Sequence, residues 1–130
     1  MTFSAERVAT IAGDYTDAWN CGKPTAVAAF FHPDGMITIN EGEPWCGREG
    51  IAAMAAGFFA DVPDMKLACD HVRGSGKHAV YLWTFTGTHA TTKRKLRVSG
   101  WEEWELDDAG LIAISRGNFD AEDYSQQVGS

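Results

Sequence analysis

Apolar residues recur at helical intervals near the start of the chain. They are spaced three or four positions apart, which places them on one face of a helix: Val8, Ile11, Tyr15, Ala18 and Trp19. Ser4 can cap the start of this helix and Gly22 can end it. Pro24 suits the first turn of a short second helix, and a third amphipathic helix is predicted from about Arg48 to Ala60.

The segment between the second and third helices is predicted to contain a turn, a strand and a loop. "HPDG" at 32–35 is typical of a turn, because proline fixes one dihedral angle and Asp-Gly favours reversal of the chain. "MITIN" at 36–40 is rich in β-branched residues and predicts a strand. "EGEPWCG" at 41–47 predicts a connecting loop.

The second half of the chain changes to a pattern of strands separated by turn-like segments. The predicted strands are 65–74, 78–90, 96–106 and 111–119. Short connections between consecutive strands favour an antiparallel meander. Helices followed by such a meander predict an α+β fold in which the helices cover one face of a curved sheet.

The predicted strand at 78–90 is apolar on both faces. Val80 and Leu82 point to one side of the sheet, whereas Tyr81 and Trp83 point to the other. Apolar residues on both faces indicate that both faces are covered. The helices cover one face, and we expect a second copy of the chain to cover the outer face, which predicts a homodimer.

The last predicted strand carries a candidate catalytic acid. By alternation, one face of this strand holds Ile112, Ile114, Arg116, Asn118 and Asp120. This series predicts a cavity with an apolar base and a polar mouth. Burial at such a mouth would raise the pKa of Asp120 toward working pH and suit general acid/base catalysis. The alternative is that Asp120 caps the following segment, "AEDYSQQ".

Length and charge exclude several classes of protein and partner. The chain has 130 residues, 45% of them hydrophobic, which predicts a single globular domain over 1–130. Its net charge of -7 disfavours binding to nucleic acid or to an anionic membrane. The three widely separated cysteines predict neither a disulfide framework nor a zinc site. No signal-peptide pattern is evident at the first residues, and we expect a cytoplasmic protein.

Four segments, in this order, resemble one family. They are "FFHPDGMITI", "GREGIAAM", "WTFTGTHAT" and "GLIAISRGNFDAEDYSQQVG". The chain resembles the SnoaL-like polyketide cyclases of the nuclear transport factor 2-like superfamily. That resemblance implies a cystatin-like, cone-shaped barrel, in which a curved and mostly antiparallel sheet wraps around the N-terminal helices. It also implies ring closure by intramolecular aldol condensation without metal or organic cofactor.

The resemblance assigns roles to two residues. Asp120 falls at the position of the family's acid/base aspartate, and His89 falls on the histidine of its "GTHTG" segment. A neutral His89 could polarise a substrate carbonyl; the alternative is a half-exposed histidine without a role. Ile114 and Arg116 depart from the family's usual residues before the aspartate. Ketosteroid isomerases carry their base on the first strand, where this chain has Ile39.

These observations together predict a pocket for a small, apolar molecule that carries a carbonyl group. We expect its lining to come from the helices and three strands: Tyr15, Trp19, Ile39, Phe58, Trp83, Phe85, Arg116 and Asn118. Aromatic residues at these spacings are also typical of a plain core. The predicted activity is that of a cyclase, isomerase or dehydratase that transfers a proton beside the carbonyl. The alternative is a non-catalytic module for ligand binding or dimerisation.

Overall fold

The structure, a computed structural model, describes residues 3–129 and confirms the α+β prediction. The helices are α1 (Ala5–Asn20), α2 (Pro24–Ala28), α3 (Gly47–Asp61) and α4 (Ala121–Val128). The strands are β1 (Phe31–Ile39), β2 (Trp45–Cys46), β3 (Lys66–Ser75), β4 (His78–Thr88), β5 (Lys95–Leu106) and β6 (Ile112–Phe119). They form one curved sheet in the order β2-β1-β6-β5-β4-β3, with β2 and β3 as its open edges.

The sheet is mixed rather than wholly antiparallel. The meander β3-β4-β5-β6 is antiparallel throughout, as the spacing of its strands predicted. β1 instead pairs in parallel with β6, so the first strand of the chain lies beside the last. The apolar face of α1 packs against the inner face of this sheet, where Tyr15 is fully buried. Ser4 caps α1 by accepting a hydrogen bond from Arg7 N at 3.1 Å.

The prediction of a turn at "HPDG" is wrong. These residues lie within β1, where the pairing register shifts between Phe31 and Met36. His32 Nδ1 accepts the Asp34 N–H at 3.0 Å and so supports the local distortion. A Cβ at Gly35 would lie 2.9 Å from the carbonyl oxygens of His32 and Ile112, so the close approach of β1 to β6 at this position needs a glycine. The predicted loop likewise contains the short edge strand β2.

A β-bulge in β6 reverses the faces that alternation predicted for this strand. Ile112 pairs with Leu106 and Ile114 pairs with Glu105, so Ala113 is an extra residue. One extra residue moves every following side chain to the opposite face. Beyond the bulge, Ser115 therefore points inward.

A glycine on β5 lets an aromatic ring lie flat across the inner face. Gly100 pairs with Trp83 on β4 and with Phe119 on β6. A Cβ at this position would lie 2.3 Å from the Asn118 carbonyl oxygen and 2.6 Å from the Trp83 ring. Trp83 fills the space that a side chain would need.

The cysteines and the lengths of the helices are the last features of the fold. Cys21, Cys46 and Cys69 are free. Within residues 3–129, each helix is too short or too polar to cross a bilayer.

We predict that Gly100→Ala destabilises the protein by about 1–3 kcal/mol, because the added methyl group overpacks the contact with Trp83. Urea unfolding followed by circular dichroism measures the change. Gly13→Ala is the matched control, since Gly13 lies in α1 and a Cβ there meets nothing within 4 Å. This control should stabilise by up to about 1 kcal/mol. Equal stability of the two variants would contradict the overpacking.

Candidate active site

A small apolar cavity lies between the helices and the inner face of the sheet. Its volume is about 50 Å³. It is lined by residues from α1, α3, the segment before β3 and five strands: Trp19, Ile37, Ile39, Met54, Phe58, Met65, Leu67, Trp83, Phe85, Glu102, Gly117 and Phe119. Half of these residues are buried, and the other half are half-buried: Ile39, Phe58, Met65, Leu67, Trp83 and Phe119.

Most of the predicted pocket residues contribute to this cavity. The lining includes five of them: Trp19, Ile39, Phe58, Trp83 and Phe85. Tyr15 lies behind the lining, fully buried, with its hydroxyl directed to Glu102. The positions of Trp19, Trp83 and Phe85 follow from two periodicities, the helical stripe of α1 and the alternation of β4.

Glu102 is the ionisable residue in the cavity lining, and the sequence analysis did not identify it. It is 6% exposed and lies on β5 opposite Gly117 of β6. The inner face of β5 is otherwise apolar: Leu96, Val98, Trp104 and Leu106. A charged residue that interrupts an apolar face of a strand is therefore the signal that could have found it.

Three side chains donate hydrogen bonds to the Glu102 carboxylate. Oε1 accepts from Ser115 Oγ at 2.7 Å, Trp104 Nε1 at 3.0 Å and the Tyr15 hydroxyl at 3.1 Å. Oε2 accepts only from the Tyr15 hydroxyl, at 3.1 Å, within the part of the chain that is described. Oε2 therefore keeps lone-pair capacity for another group.

Burial raises the pKa of Glu102 above its usual range. Hydrogen bonds from Trp104, Ser115 and Tyr15 act in the opposite direction, because they stabilise the carboxylate. The two ion pairs found within residues 3–129 join Lys77 to Asp108 and Glu105 to Arg116, so neither supplies Glu102 with a cation. A carboxyl group of raised pKa in an apolar cavity is a candidate acid/base.

Two tyrosines behind Glu102 stay protonated. Burial, with a contribution from the Glu102 charge, raises the pKa of Tyr15 well above its usual value. Burial likewise raises the pKa of Tyr81, whose hydroxyl lies 2.5 Å from Thr16 Oγ1. Thr16 donates its own proton to the Ala12 carbonyl, so Tyr81 is the donor in this pair. Tyr15 is thus held as a neutral donor to the carboxylate.

The expectation that Asp120 faces the apolar cavity is wrong. Asp120 is exposed and caps α4, where Oδ1 accepts the Asp123 N–H at 3.0 Å. It borders a shallow surface groove with Trp101 and Asn118, outside the cavity lining. The physical reason is that β6 ends at Phe119, so the chain has already turned into the helix cap at Asp120.

His89 also lies outside the cavity lining. It follows the end of β4, where its N–H donates to the Arg94 carbonyl at 2.9 Å. Its Nδ1 accepts from Thr91 N and Thr92 N, both at 3.3 Å. His89 therefore shapes the turn between β4 and β5, and the structure does not bring it together with Glu102.

The expected pocket positions of Arg116 and Asn118 are wrong as well, because the bulge at Ala113 turns both side chains to the outer face. Arg116 is paired there with Glu105 at 3.0 Å. Asn118 lies beside Trp101, its partner on β5. No group of three His, Cys, Asp or Glu side chains within residues 3–129 is arranged to hold a metal ion.

Comparisons with known proteins support the fold and the family resemblance. A sequence model of the SnoaL-like domain matches residues 12–114. The chain matches no curated protein. A hypothetical protein from Catenulispora acidiphila with a ketosteroid isomerase-like fold, in complex with trimethylamine, is similar at a TM-score of 0.84 and 18% identity, with 92% of each chain covered.

Two further solved structures have the same fold. TsrD from Streptomyces laurentii is similar at a TM-score of 0.84 and 23% identity, with 98% of each chain covered. A candidate polyketide cyclase from Xanthomonas campestris is similar at a TM-score of 0.81 and 19% identity, covering 95% of this chain and 98% of its own. These likenesses confirm the predicted nuclear transport factor 2-like architecture.

We predict that Glu102→Gln changes the pH dependence of stability. Below the pKa of an unfolded glutamate, about 4.3, position 102 is neutral in both states of the wild type. As pH rises from there through the raised pKa of the folded state, the wild type loses stability that the Glu102→Gln variant keeps. Over this range, the free energy of unfolding of the variant should increase relative to that of the wild type. The increase should be about 1.4 kcal/mol for each unit by which folding raises the pKa of Glu102.

Urea unfolding of both proteins between pH 4 and pH 8 measures this difference. Glu103→Gln is the matched control, because Glu103 is the neighbouring carboxylate on the exposed face of β5. It reports the effect of removing one negative charge from this strand. A constant difference between Glu102→Gln and the wild type across this range would contradict the assignment of a buried, titrating carboxyl.

Proposed function

Because the chain belongs to the SnoaL-like domain family, we propose that it transfers a proton beside the carbonyl group of a small apolar substrate, with Glu102 as the base. The observation that carries this proposal is the Glu102 carboxyl itself, buried in the apolar cavity with Oε2 open to a further partner. This assignment replaces Asp120 and His89, whose positions outside the cavity lining give them no contact with a substrate held there.

The chemistry follows from the protonation states. Glu102 Oε2 accepts a proton from the carbon next to the substrate carbonyl, and the C–H electron pair forms the double bond of an enolate. If the substrate has a carbon–carbon double bond beyond that carbon, the enolate is conjugated with it, and the protonated Glu102 returns the proton to the far end, which shifts the double bond and completes an isomerisation. In a cyclisation, the enolate carbon attacks a second carbonyl of the same molecule, and Glu102 protonates the new alkoxide. Neither route needs an oxidant or a second substrate.

Tyr15 positions the base in this proposal. Its hydroxyl donates to both carboxylate oxygens at 3.1 Å, which fixes the carboxylate plane. When Glu102 takes up a proton, Tyr15 remains a neutral donor because burial keeps its pKa high. The same carboxyl can therefore act first as base and then as acid without a change in its surroundings.

The size of the cavity favours a small substrate. A volume of about 50 Å³ is well below the 300–1,000 Å³ typical of pockets for drug-sized ligands. Met54 and Met65 line it, and unbranched methionine side chains adapt their rotamers to a ligand. The small volume also favours the alternative function, a module that binds a ligand or a partner without catalysis.

We predict that Glu102→Gln slows proton exchange by about 10²–10⁴-fold, because the variant lacks the base. Small cyclic ketones that raise the melting temperature are incubated with the protein in D₂O, and loss of the α-hydrogen signals is followed by NMR. Asp120→Asn is the control and should retain the wild-type rate. A rate lost in Asp120→Asn but kept in Glu102→Gln would return the catalytic role to Asp120. Ketone binding without acceleration over buffer would favour the non-catalytic alternative.

We further propose that the protein forms a homodimer through the outer face of β4 and β5. Three large apolar side chains lie exposed together there: Val80, Leu82 and Trp101. Leu82 and Trp101 are direct neighbours across the strand pair. Val80 lies between Arg73 of β3 and Glu103 of β5, so a two-fold pairing can bring opposite charges together.

We predict that Trp101→Lys converts a dimer, of twice the 14.2 kDa chain mass, to a monomer at micromolar concentration. A lysine in the contact would bury a charge without a partner. Trp45→Lys is the control, because Trp45 is equally exposed at 42% but lies on β2. Sedimentation velocity separates the two outcomes. A wild-type monomer at this concentration would contradict the dimer.

A further inference from the structure

Trp19 carries a buried polar atom that the proposed proton transfer does not use. The side chain is 8% exposed. Its indole Nε1–H is the buried side-chain polar group without a hydrogen-bond partner within residues 3–129. Buried donors are almost always paired in folded proteins, because an unpaired one loses its hydrogen bond to water without replacement. An unpaired N–H therefore gains a hydrogen bond if a ligand acceptor reaches it.

Trp19 borders the cavity beside Tyr15. Trp19 is part of the cavity lining, and its ring packs edge-on to Tyr15 with the ring centroids 6.5 Å apart. Phe58 and Phe59 hold the indole from α3, with centroid distances of 6.2 and 5.4 Å. The indole N–H lies close enough to the Tyr15 hydroxyl to lower the pKa of that group against the effect of burial, but its geometry falls short of a hydrogen bond.

We propose that the Trp19 N–H binds the carbonyl oxygen of the substrate while the adjacent carbon lies at Glu102 Oε2. This inference rests on the proposed function. The indole is a donor only, so the ligand atom that it holds must be an acceptor. As the enolate forms, negative charge grows on that oxygen, and a fixed donor in a dry cavity stabilises it. Trp19 is then a catalytic residue in addition to Glu102.

The Trp19 N–H and the Glu102 carboxylate together also define the class of ligand. One fixed donor and one carboxylate match a neutral ketone or aldehyde that has a hydrogen on the neighbouring carbon. A ligand carboxylate would meet the charge of Glu102, and within the cavity lining no cationic side chain offsets it. A hydrocarbon of the same shape would leave the N–H unpaired. The site should therefore prefer a ketone over both.

The test uses cyclopentanone and methylenecyclopentane, which differ in the atom placed at the Trp19 N–H. The chain has five tryptophans, and the indole ¹H–¹⁵N signal missing from Trp19→Phe identifies the signal of Trp19. Cyclopentanone should move this proton signal downfield in the wild type, whereas methylenecyclopentane should not. Trp19→Phe should reduce the preference for the ketone about threefold to tenfold, and Trp45→Phe should leave it unchanged.

Methyl signals of Met54 report whether either probe enters the cavity. If cyclopentanone shifts them but leaves the Trp19 indole signal in place, and Trp19→Phe keeps the full ketone preference, this inference is overturned while proton transfer by Glu102 stands. If neither probe shifts the Met54 signals, the cavity takes up no ligand, and the proposed function is overturned together with the inference.

Discussion

The desolvated carboxyl of Glu102 is the interaction on which the interior of this protein depends. A carboxylate in an apolar cavity is costly unless donors replace the water that it loses. Three elements supply those donors: Tyr15 from α1, Trp104 from β5 itself and Ser115 from β6. The same residues build the core, where Trp104 stacks on Tyr81 at a centroid distance of 4.9 Å. Packing and hydrogen bonding are therefore satisfied by one set of side chains.

The architecture could be predicted from the sequence because its elements have strong periodic patterns. The stripe on α1, the apolar side of α3 and the alternation on β4 place Trp19, Phe58, Trp83 and Phe85 in the cavity lining as expected. Such patterns depend on which face is apolar, and this is decided by burial of many residues at once. The resemblance to the SnoaL-like family predicts the same fold.

The site could be predicted only in part, because it depends on single residues. The bulge at Ala113 gives no signal in "LIAISRGNF", since apolar residues occupy both faces of its first half. Without the bulge, alternation places Arg116 and Asn118 inward; with it, Ser115 and Gly117 point inward instead. Glu102 could have been found, because it interrupts an apolar face. The end of β6 one residue before Asp120 sets the helix cap, and strand patterns locate such ends poorly.

The hydrogen bond between Tyr15 and Glu102 also bears on the rate of folding. The two residues are 87 positions apart, so this contact closes about two thirds of the 130-residue chain into a loop. Contacts between distant segments slow folding, because the entropy of loop closure is lost before the contact forms. The carboxyl group is buried at the place where α1 meets the meander. Since its folded pKa is raised, that meeting also takes up protons from solution at pH values between the unfolded and folded pKa. Assembly of this core is thus itself a proton-binding reaction.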